Sequence, residues 1–184
     1  GLMVLDCVVY GKTGHAARNE GDNAIYKAIK DIEWFKNYRF EKESPYLGPV
    51  KMTVTVIKAG EQHNVVPDEC HFVVDVRLTE QYTHEVVLEI IRQHVEADIK
   101  PRSTRIKHSF IAPNHPIVQA GLAIGKTTYG SPTTSDQALI PAPSLKIGPG
   151  DSARSHTVDE FIYLNEIEDG VRGYVEMLEG ILTV

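Results

Sequence analysis

Four segments of the sequence combine residue types that could do chemistry, and the first is a glycine turn that presents a histidine. Gly11 and Gly14 enclose a short turn at the end of an apolar run, and His15 follows directly. Glycines in such a turn let the backbone approach a ligand closely and hold the imidazole in the open. The alternative is a hairpin-type turn that carries an ordinary surface histidine.

The second segment offers an amide and a guanidinium. Asn64 lies in a polar turn, and Arg77 lies near the end of the apolar run that follows it. Because alternate residues of a strand point to opposite faces, Arg77 and Asp75 share the face opposite the apolar side chains. An arginine there could clamp a carboxylate through two parallel hydrogen bonds. The alternative is a solvated sheet face on which Asp75 is the partner of Arg77.

The third segment carries three hydroxyls and a carboxylate in consecutive positions. Thr133, Thr134, Ser135 and Asp136 come shortly after a Tyr-Gly turn. These side chains can hydrogen-bond a ligand, but their types are also favoured at the N-caps of helices. The segment therefore leaves a binding role and a capping role open.

The fourth segment begins where a short apolar strand runs into a Gly-Pro-Gly turn at Gly148. Open α/β sheets hold their ligands at such places. His156 follows, directly before Thr157-x-x-Glu160, a spacing typical of a helix capping box. A neutral imidazole fixed there could serve as a metal ligand, with Asp159 or Glu160 as an outer partner. The alternative is a structural histidine.

Composition excludes several classes of protein. The chain has 184 residues, of which 42% are hydrophobic and 24% charged, and its net charge of −6 comes without a basic stripe. These values argue against a disordered tail and against a nucleic acid as the main partner. No apolar run approaches the roughly 18 residues of a membrane-spanning helix, and no signal-peptide pattern opens the chain. The two cysteines fit a reducing cytoplasm rather than a disulfide scaffold.

Hydrophobic periodicity predicts the elements that must position these segments. Period-two patterns predict strands over about residues 2–10, 50–58, 70–78 and 104–111. Helical patterns between them predict two helices, capped by Asp22 or Asn23 and by Thr83. Because two amphipathic helices can cover one face of a four-stranded sheet, the order β-α-β-β-α-β predicts an α+β, ferredoxin-like layer of about 110 residues.

Two details of this layer are open to a direct check. Met52, Val54 and Val56 are expected to share one face of the second strand. The first and third strands are expected to lie side by side and parallel, as in the usual form of this fold. That arrangement would put Cys7 and Cys70 at opposite ends of the strands, which argues against a disulfide between them.

The last 75 residues or so have a different character. The pattern predicts a helix over residues 116–126, one strand over 144–147 and a long final helix whose apolar stripe begins at Leu164. A single strand cannot form a sheet. We therefore expect this half to be part of an α/β layer whose other strands lie in further polypeptide. The strand-like opening Gly1–Leu5 fits a longer protein cut in mid-chain, and the alternative is a tag remnant on a short protein.

Taken together and in this order, the four segments resemble the dinuclear-zinc deacylase and exopeptidase family. That family includes acetylornithine deacetylase, succinyl-diaminopimelate desuccinylase, aminoacylase and carboxypeptidase G. The run from Gly148 to Glu160 looks most like the acetylornithine and acetylcitrulline deacetylases. The resemblance covers the whole chain but only the second half of such a protein.

The resemblance implies a role for each segment. Residues 1–110 would be the lid domain that pairs two subunits, and residues 111–184 would be the C-terminal part of the zinc domain. His156 would match the C-terminal zinc ligand. His15 would match the lid histidine that reaches the other subunit's site and stabilises the oxyanion there. The residues implied in substrate binding are Asn64 and Arg77, which would hold the substrate's α-carboxylate and neighbouring groups, and Thr134, Ser135, Asp136 and Gly148, which would line the pocket.

The sequence departs from the family pattern in its metal ligands. The family's other ligands are a His-x-Asp, a bridging Asp and a Glu-Glu pair, and neither His-x-Asp nor Glu-Glu occurs in the 184 residues. Catalytic zinc needs about three protein ligands, so His156 alone should not bind zinc tightly. The 184 residues by themselves are therefore predicted to be inactive.

The prediction for the intact parent is a cytoplasmic homodimeric amidohydrolase. It would hold two zinc ions per subunit, with cobalt as a possible substitute, and deacylate an N-acyl amino acid such as acetylornithine in arginine biosynthesis. Neither a nucleic acid nor a membrane is expected as a partner. One alternative is a dipeptidase or carboxypeptidase of the same family. The other is a non-catalytic dimerisation or ligand-binding module, in which the segment leading to His156 would have no purpose.

Overall fold

The computed structural model describes residues 1–182, whose contacts divide the chain into two units. The first unit holds Gly1–His108 together with Ser131–Leu139. The second unit holds Ser109–Gly130 together with the chain from Ile140 onward. The chain therefore passes between the two units three times.

The first unit is built on a four-stranded antiparallel sheet. Its elements in chain order are β1 (Leu2–Tyr10), β2 (Gly14–His15), α1 (Ala24–Asn37), β3 (Lys51–Ala59), β4 (Val65–Val66), β5 (Glu69–Arg77), α2 (His84–Arg92) and β6 (Asp98–Pro101). The main sheet has the spatial order β3-β5-β1-β6, and β2 pairs with β4 in a separate two-stranded ribbon. The predicted α+β class and the β-α-β-β-α-β order of the main elements are confirmed.

The core of the first unit lies between this sheet and its two helices. Every second residue along most of β1 and β5 is buried, which is the alternation expected of strands covered on one face. Burial of these side chains is the main source of the unit's stability. The largest core residues are Met3, Leu5, Val9, Phe72, Val74 and Val76 of the sheet and Phe35, Val87 and Ile91 of the helices.

Hydrogen bonds at the helix ends hold α1 and α2 in place. The side chains of Asn23 and Thr83 accept hydrogen bonds from backbone N–H groups two and three residues further on, as N-caps do. Asp31, buried on α1, accepts hydrogen bonds from the backbone N–H groups of Glu96 and Ala97, which follow α2. Burial raises the pKa of the Asp31 carboxyl. Of the two caps considered for α1, the structure uses Asn23, and the Thr83 cap is confirmed.

The predicted parallel pairing of the first and third main strands is wrong. β1 and β5 are antiparallel, with Cys7 opposite Phe72 and Val9 opposite Cys70. The reason is topological: β5 returns from β3 as a hairpin and inserts between β3 and β1, so it runs against both. The cysteines therefore form a diagonal pair near one end of the core, where both are buried and free.

Two strand predictions also need correction. The fourth strand is β6 at Asp98–Pro101, not residues 104–111. Beyond Pro101 the chain still meets β1 through single hydrogen bonds, from the N–H of Arg102 to the Val4 carbonyl and from the N–H of Leu2 to the Ile106 carbonyl, but these do not form the regular ladder that defines a strand. In β3 the register with β5 shifts between Val54 and Val56, as in a β-bulge. Because the bulge reverses the alternation beyond it, Val56 leaves the face that it was predicted to share with Met52 and is exposed.

In the part of the second unit that the structure describes, the α-helices are α3 (Pro116–Ala123) and α4 (Leu164–Leu182), and a short 3₁₀ helix covers Ser152–Arg154. The two α-helices pack together around Val118 and Met177, which are buried, while Gly121 brings the α3 backbone close to the Met177 sulfur. The strand predicted over residues 144–147 is not formed: within residues 1–182 this segment has no strand partner. A lone extended segment lacks the ladder of hydrogen bonds that defines a strand.

The apolar stripe predicted on α4 is present, but solvent reaches most of it. The central residues of the stripe are 40–59% exposed: Ile167, Val171, Tyr174, Val175 and Leu178. A continuous exposed apolar face of this kind is typical of a surface that another element or chain covers. Within residues 1–182, no helix has both the length and the apolar character that crossing a membrane requires.

Candidate functional site

The β2–β4 ribbon brings together two of the predicted site residues, His15 and Asn64. His15 pairs with Val65 across the ribbon, and the backbone N–H of Ala16 donates a 2.9 Å hydrogen bond to the carbonyl oxygen of Asn64. Both His15 and Asn64 are exposed. His15 and Asn64 are 49 positions apart in the sequence, so the pairing of β2 with β4 is what makes them neighbours.

One ring nitrogen of His15 is already engaged, which fixes what the other can do. The backbone N–H of Ala17 donates a 3.1 Å hydrogen bond to Nδ1 of His15. A nitrogen that accepts a hydrogen bond carries no proton, so in the neutral imidazole the proton lies on Nε2. The exposed Nε2–H is therefore a donor, which is the role that stabilisation of an oxyanion requires.

Two glycines set the shape of the turn that leads to His15. A Cβ atom at Gly11 would lie 2.1 Å from the carbonyl oxygen of Asp22, and one at Gly14 would lie 2.6 Å from the backbone of Glu20. Backbone atoms at those distances leave no room for any side chain. The turn therefore needs glycine at both positions for close backbone approach, as the sequence pattern indicated.

A cavity of about 430 Å³ opens beside the ribbon, where β3 ends and β5 begins. Its wall includes Val65 and Val66 of the ribbon, Lys58, and a Glu69–His71 contact of 2.9 Å. The cavity is open to solvent and belongs wholly to the first unit.

Arg77 lies at the other end of the sheet from the ribbon. In the β1–β5 pairing Arg77 is opposite Leu2 whereas Glu69 is opposite Tyr10, so the two ends are roughly 27 Å apart at 3.4 Å per residue. The Arg77 guanidinium forms two hydrogen bonds with the Asp75 carboxylate, at 2.6 and 3.0 Å. The structure thus separates Arg77 from His15 within one copy of the chain and gives it the Asp75 partner that the sequence left open.

The Thr133–Asp136 segment precedes a 3₁₀ turn over Asp136–Leu139. The carbonyl oxygen of Ser135 accepts a 3.0 Å hydrogen bond from the backbone N–H of Ala138, so Ser135 starts this turn. Thr134 and Asp136 are exposed, and Ser135 is half-buried. The segment belongs to the first unit, whereas Gly148 belongs to the second.

His156 adopts a left-handed backbone conformation, with φ of 62°. It is the one residue other than glycine with positive φ among residues 1–182. Residues with a Cβ atom rarely adopt this conformation, and they keep it only where several surrounding contacts enforce it. The His156 side chain is exposed, so its imidazole is held out towards solvent.

The capping-box pattern after His156 forms differently from the prediction. The Glu160 carboxylate accepts a 2.9 Å hydrogen bond from the backbone N–H of His156 rather than of Thr157. No helix begins at Thr157; α4 begins at Leu164, and the Thr157 hydroxyl instead donates to the carbonyl oxygen of Arg154 at 2.7 Å. Glu160 nevertheless fixes the backbone beside His156, as the pattern suggested.

An ion pair that the sequence analysis missed holds the segment before His156. The Arg154 guanidinium forms two hydrogen bonds with the Glu166 carboxylate, at 2.9 and 2.5 Å. Glu166 also accepts a 2.9 Å hydrogen bond from the backbone N–H of Tyr163 at the start of α4. The hydrogen bonds from Arg154 and Tyr163 lower the pKa of the Glu166 carboxyl. Arg154 and Glu166 are 12 residues apart, and the segment between them is irregular, so no periodic pattern predicts their ion pair. The one signal in the sequence was the position of Glu166 in the first turn of a predicted helix.

The described residues do not form a metal site by themselves. No three His, Cys, Asp or Glu side chains in residues 1–182 are arranged to hold a metal ion. A catalytic zinc needs about three protein ligands, so the exposed imidazole of His156 fits the role of one ligand and no more.

The four-stranded antiparallel sheet with two helices on one face defines the first unit as a ferredoxin-like α+β domain. The family model of the peptidase dimerisation domain of the M20 peptidases matches residues 1–103. The chain therefore belongs to the M20 peptidase dimerisation-domain family, in agreement with the resemblance drawn from its motifs.

Curated relatives match nearly the whole chain. The chain is 28% identical to a LysW-lysine/LysW-ornithine hydrolase of Saccharolobus solfataricus, over 97% of the chain and 53% of the relative. It is 24% identical to succinyl-diaminopimelate desuccinylase 2 of Alteromonas mediterranea, over 99% of the chain and 52% of the relative. The chain thus spans about half the length of the curated relatives that it matches, and these relatives are hydrolases.

Solved structures share the fold over both units. An aminopeptidase PepT from Bacillus cereus superimposes with a TM-score of 0.70 at 20% identity, over 98% of the chain and 52% of that protein. An M20 family metallo-carboxypeptidase from Sulfolobus solfataricus gives a TM-score of 0.64 at 16% identity, over 97% and 58%. At these identities the likeness concerns the fold. The closer resemblance to acetylornithine and acetylcitrulline deacetylases stays a prediction.

Proposed function

We propose that this chain is part of a metal-dependent amidohydrolase that removes the acyl group from an N-acyl amino acid such as acetylornithine. The observation that carries the proposal is the exposed Nε2–H of His15, which Ala17 keeps as a donor beside Asn64. A donor held in this way suits the oxyanion that develops when an amide carbonyl is attacked. The membership of the M20 family and the hydrolase relatives support the same class of reaction.

In this proposal residues 1–110 are a lid domain, and residues 111–184 are the C-terminal part of the catalytic domain. The match of the dimerisation-domain model to residues 1–103 supports the first assignment. The exposed apolar stripe of α4 supports the second, because it offers a face for the remaining strands and helices of a catalytic domain to cover. The relatives, about twice as long, have room for those elements.

His156 would donate one imidazole to a two-metal centre whose other ligands come from polypeptide outside these 184 residues. When bound, such a centre supplies an activated water for attack on the acyl carbonyl. His15 would donate to the oxyanion, and Asn64 and Arg77 would hold the carboxylate of the amino acid. Thr134, Ser135, Asp136 and Gly148 would line the pocket. The 184 residues alone would be inactive, since one imidazole does not make a catalytic metal site.

The distance between Arg77 and the ribbon supports a division of roles between two copies of the chain. Side chains roughly 27 Å apart cannot contact the same small substrate. Arg77 would serve the site of its own subunit, and His15 and Asn64 would reach the site of the partner subunit. Each active site would then need both members of a homodimer.

The edge of the main sheet offers a surface for that homodimer. β3 is an edge strand, with β5 as its neighbour, and it presents Val56 and Ile57 to solvent. The adjacent helix α1 exposes Tyr26 and Ile29. A long edge with exposed apolar side chains is a ready place for another strand to pair, and a homodimer would cover it.

A charge at the β3 edge is expected to break the dimer. Ile57→Glu would place a carboxylate in the interface, where its desolvation is not compensated, so the full-length protein should become monomeric at micromolar concentration. Sedimentation velocity measures the change. Val86→Glu is the matched control, because Val86 of α2 is 47% exposed, close to the 53% of Ile57, and does not flank β3. A dimer that survives Ile57→Glu would reject this interface.

The reaction itself is tested on the full-length protein with a set of amides. The assay compares N-acetylornithine, N-succinyl-diaminopimelate and a dipeptide, each before and after removal of metal with a chelator and after addition of zinc. Faster metal-dependent hydrolysis of an N-acyl amino acid is the expected result. Faster cleavage of the dipeptide would favour the peptidase alternative, in line with a relative that is named a probable carboxypeptidase. No turnover by a folded, metal-loaded dimer would favour a non-catalytic module.

Zinc as the native metal, cobalt as its substitute and a cytoplasmic location remain predictions from the sequence.

A further inference from the structure

We propose that Arg154 and Glu166 are positioning residues that hold His156 in the conformation in which it can act as a ligand. This inference rests on the proposed function, because it takes His156 as the ligand to be positioned. It starts from the strained backbone of His156, whose φ of 62° is unique among the non-glycine residues of the described chain. Such a conformation persists only where neighbouring contacts over-determine it.

The contacts that enforce this backbone converge on the residues directly before His156. The segment turns tightly, with the Asp151 side chain accepting from the backbone N–H of Ala153 at 2.9 Å. The carbonyl oxygen of Arg154 accepts the Thr157 hydroxyl at 2.7 Å. His156 therefore lies within the turn that the hydrogen bond from Thr157 to Arg154 closes, and the shape of that turn depends on where the backbone of Arg154 lies.

Arg154 in turn is fixed to α4 through its side chain. Its guanidinium makes the two hydrogen bonds with Glu166. The guanidinium carbon lies 5.0 Å from the centroid of the Phe161 ring and 5.3 Å from the centroid of the Tyr163 ring. With side chains 19% and 26% exposed, Arg154 and Glu166 form the most enclosed ion pair between the described residues. A bidentate pair with aromatic neighbours allows little freedom to the arginine.

Glu166 is itself held in place by α4. It lies in the first turn of α4 and accepts the backbone N–H of Tyr163, so its carboxylate is held by the helix as well as by Arg154. A continuous series of contacts thus links α4 to the backbone beside His156 through Glu166 and Arg154. Loss of the ion pair would release the segment that carries His156 while leaving the imidazole itself in the protein.

The test measures the zinc affinity of the full-length protein by competition with a chelating indicator. Arg154→Met keeps an apolar stem against the two rings, and Glu166→Gln keeps an acceptor for the Tyr163 N–H. Each should weaken zinc binding by about 10- to 100-fold, the range known for residues that orient a metal ligand. Arg154→Lys keeps the charge without the fork of donors and should fall between wild type and Arg154→Met.

A matched control lies on the same helix. Arg172 forms an exposed ion pair with Asp169, with side chains 68% and 62% exposed, and Arg172→Met should leave zinc affinity unchanged. The melting temperature of the metal-free protein separates positioning from stability, because the positioning role predicts lower zinc affinity with little change in melting. His156→Ala shows whether His156 binds the metal at all.

Each outcome decides the proposal. Weaker zinc binding in Arg154→Met and Glu166→Gln, with unchanged binding in Arg172→Met and a nearly unchanged melting temperature, supports it. Unchanged zinc affinity in Arg154→Met, when His156→Ala lowers that affinity, overturns this inference alone. Weaker binding that accompanies a large drop in melting temperature also overturns it, in favour of a structural role. Unchanged affinity in His156→Ala overturns the proposed function and this inference with it.

Discussion

Replacing His15 with alanine in the full-length protein should lower kcat by about 100- to 1,000-fold and change KM little. Removing one oxyanion donor typically costs about 2.7–4 kcal/mol of transition-state stabilisation. The Nε2–H of His15 is the donor in question, since Ala17 occupies Nδ1. A donor that acts on charge developing in the transition state affects kcat rather than substrate binding. Steady-state kinetics on the preferred N-acyl amino acid measures both constants.

Two further variants show whether the effect is specific to His15. His71→Ala removes another exposed histidine from the same unit, one that contacts Glu69, and should leave kcat unchanged. Arg77→Ala should mainly raise KM, because Arg77 is proposed to hold the substrate carboxylate. A His15→Ala enzyme with normal kcat and raised KM would contradict the role given to this histidine.

Replacing His156 with alanine should cost the full-length protein its zinc and its activity together. A direct ligand should matter more than the roughly 10- to 100-fold typical of groups around the ligands, so zinc affinity should fall by more than about 100-fold. His156→Gly relaxes the left-handed backbone but also lacks the imidazole, so it should be as defective as His156→Ala. Elemental analysis after dialysis and initial-rate assays measure the two losses.

The control for His156 is another histidine of the second unit. The His115 side chain accepts a hydrogen bond from the backbone N–H of Ile117 and caps α3. His115→Asn keeps an N-cap acceptor and should retain both zinc and activity. Full zinc content in His156→Ala would remove this residue from the metal centre.

The elements with clear periodicity could be predicted from the sequence. β1 and β5 carry strict alternation, and burial of Phe72, Val74 and Val76 on one face follows from it. Asn23 and Thr83 precede helical patterns and form caps as expected. These features are local, because neighbouring residues alone determine which face is apolar and where a helix can start.

Features that depend on pairing partners could not be predicted in this way. The antiparallel β1–β5 register arises from the hairpin between β3 and β5, and the exposure of Val56 arises from a bulge in the same pair. The apolar residues 144–147 have strand character but no partner strand within residues 1–182. Periodicity reports burial, whereas register, bulges and strand formation depend on hydrogen bonds to residues distant in the chain.

The candidate site shows the same division. The sequence motifs predicted His15 and Asn64 as site residues, and the β2–β4 ribbon makes them neighbours. The motif alone could not indicate that Nδ1 of His15 is occupied or that Arg77 lies at the far end of the sheet. The Arg154–Glu166 pair bridges an irregular segment, and no periodic pattern marks it.

Mixing two inactive variants tests most directly the claim that His15 of one subunit serves the His156 site of its partner. Full-length His15→Ala and His156→Ala proteins are combined in equal amounts and allowed to exchange subunits. In a random mixture half the dimers are mixed, and each contains one complete site of two, so about one quarter of wild-type activity should return. Activity that stays at the level of the separate variants, although mixed dimers are present, would contradict the account.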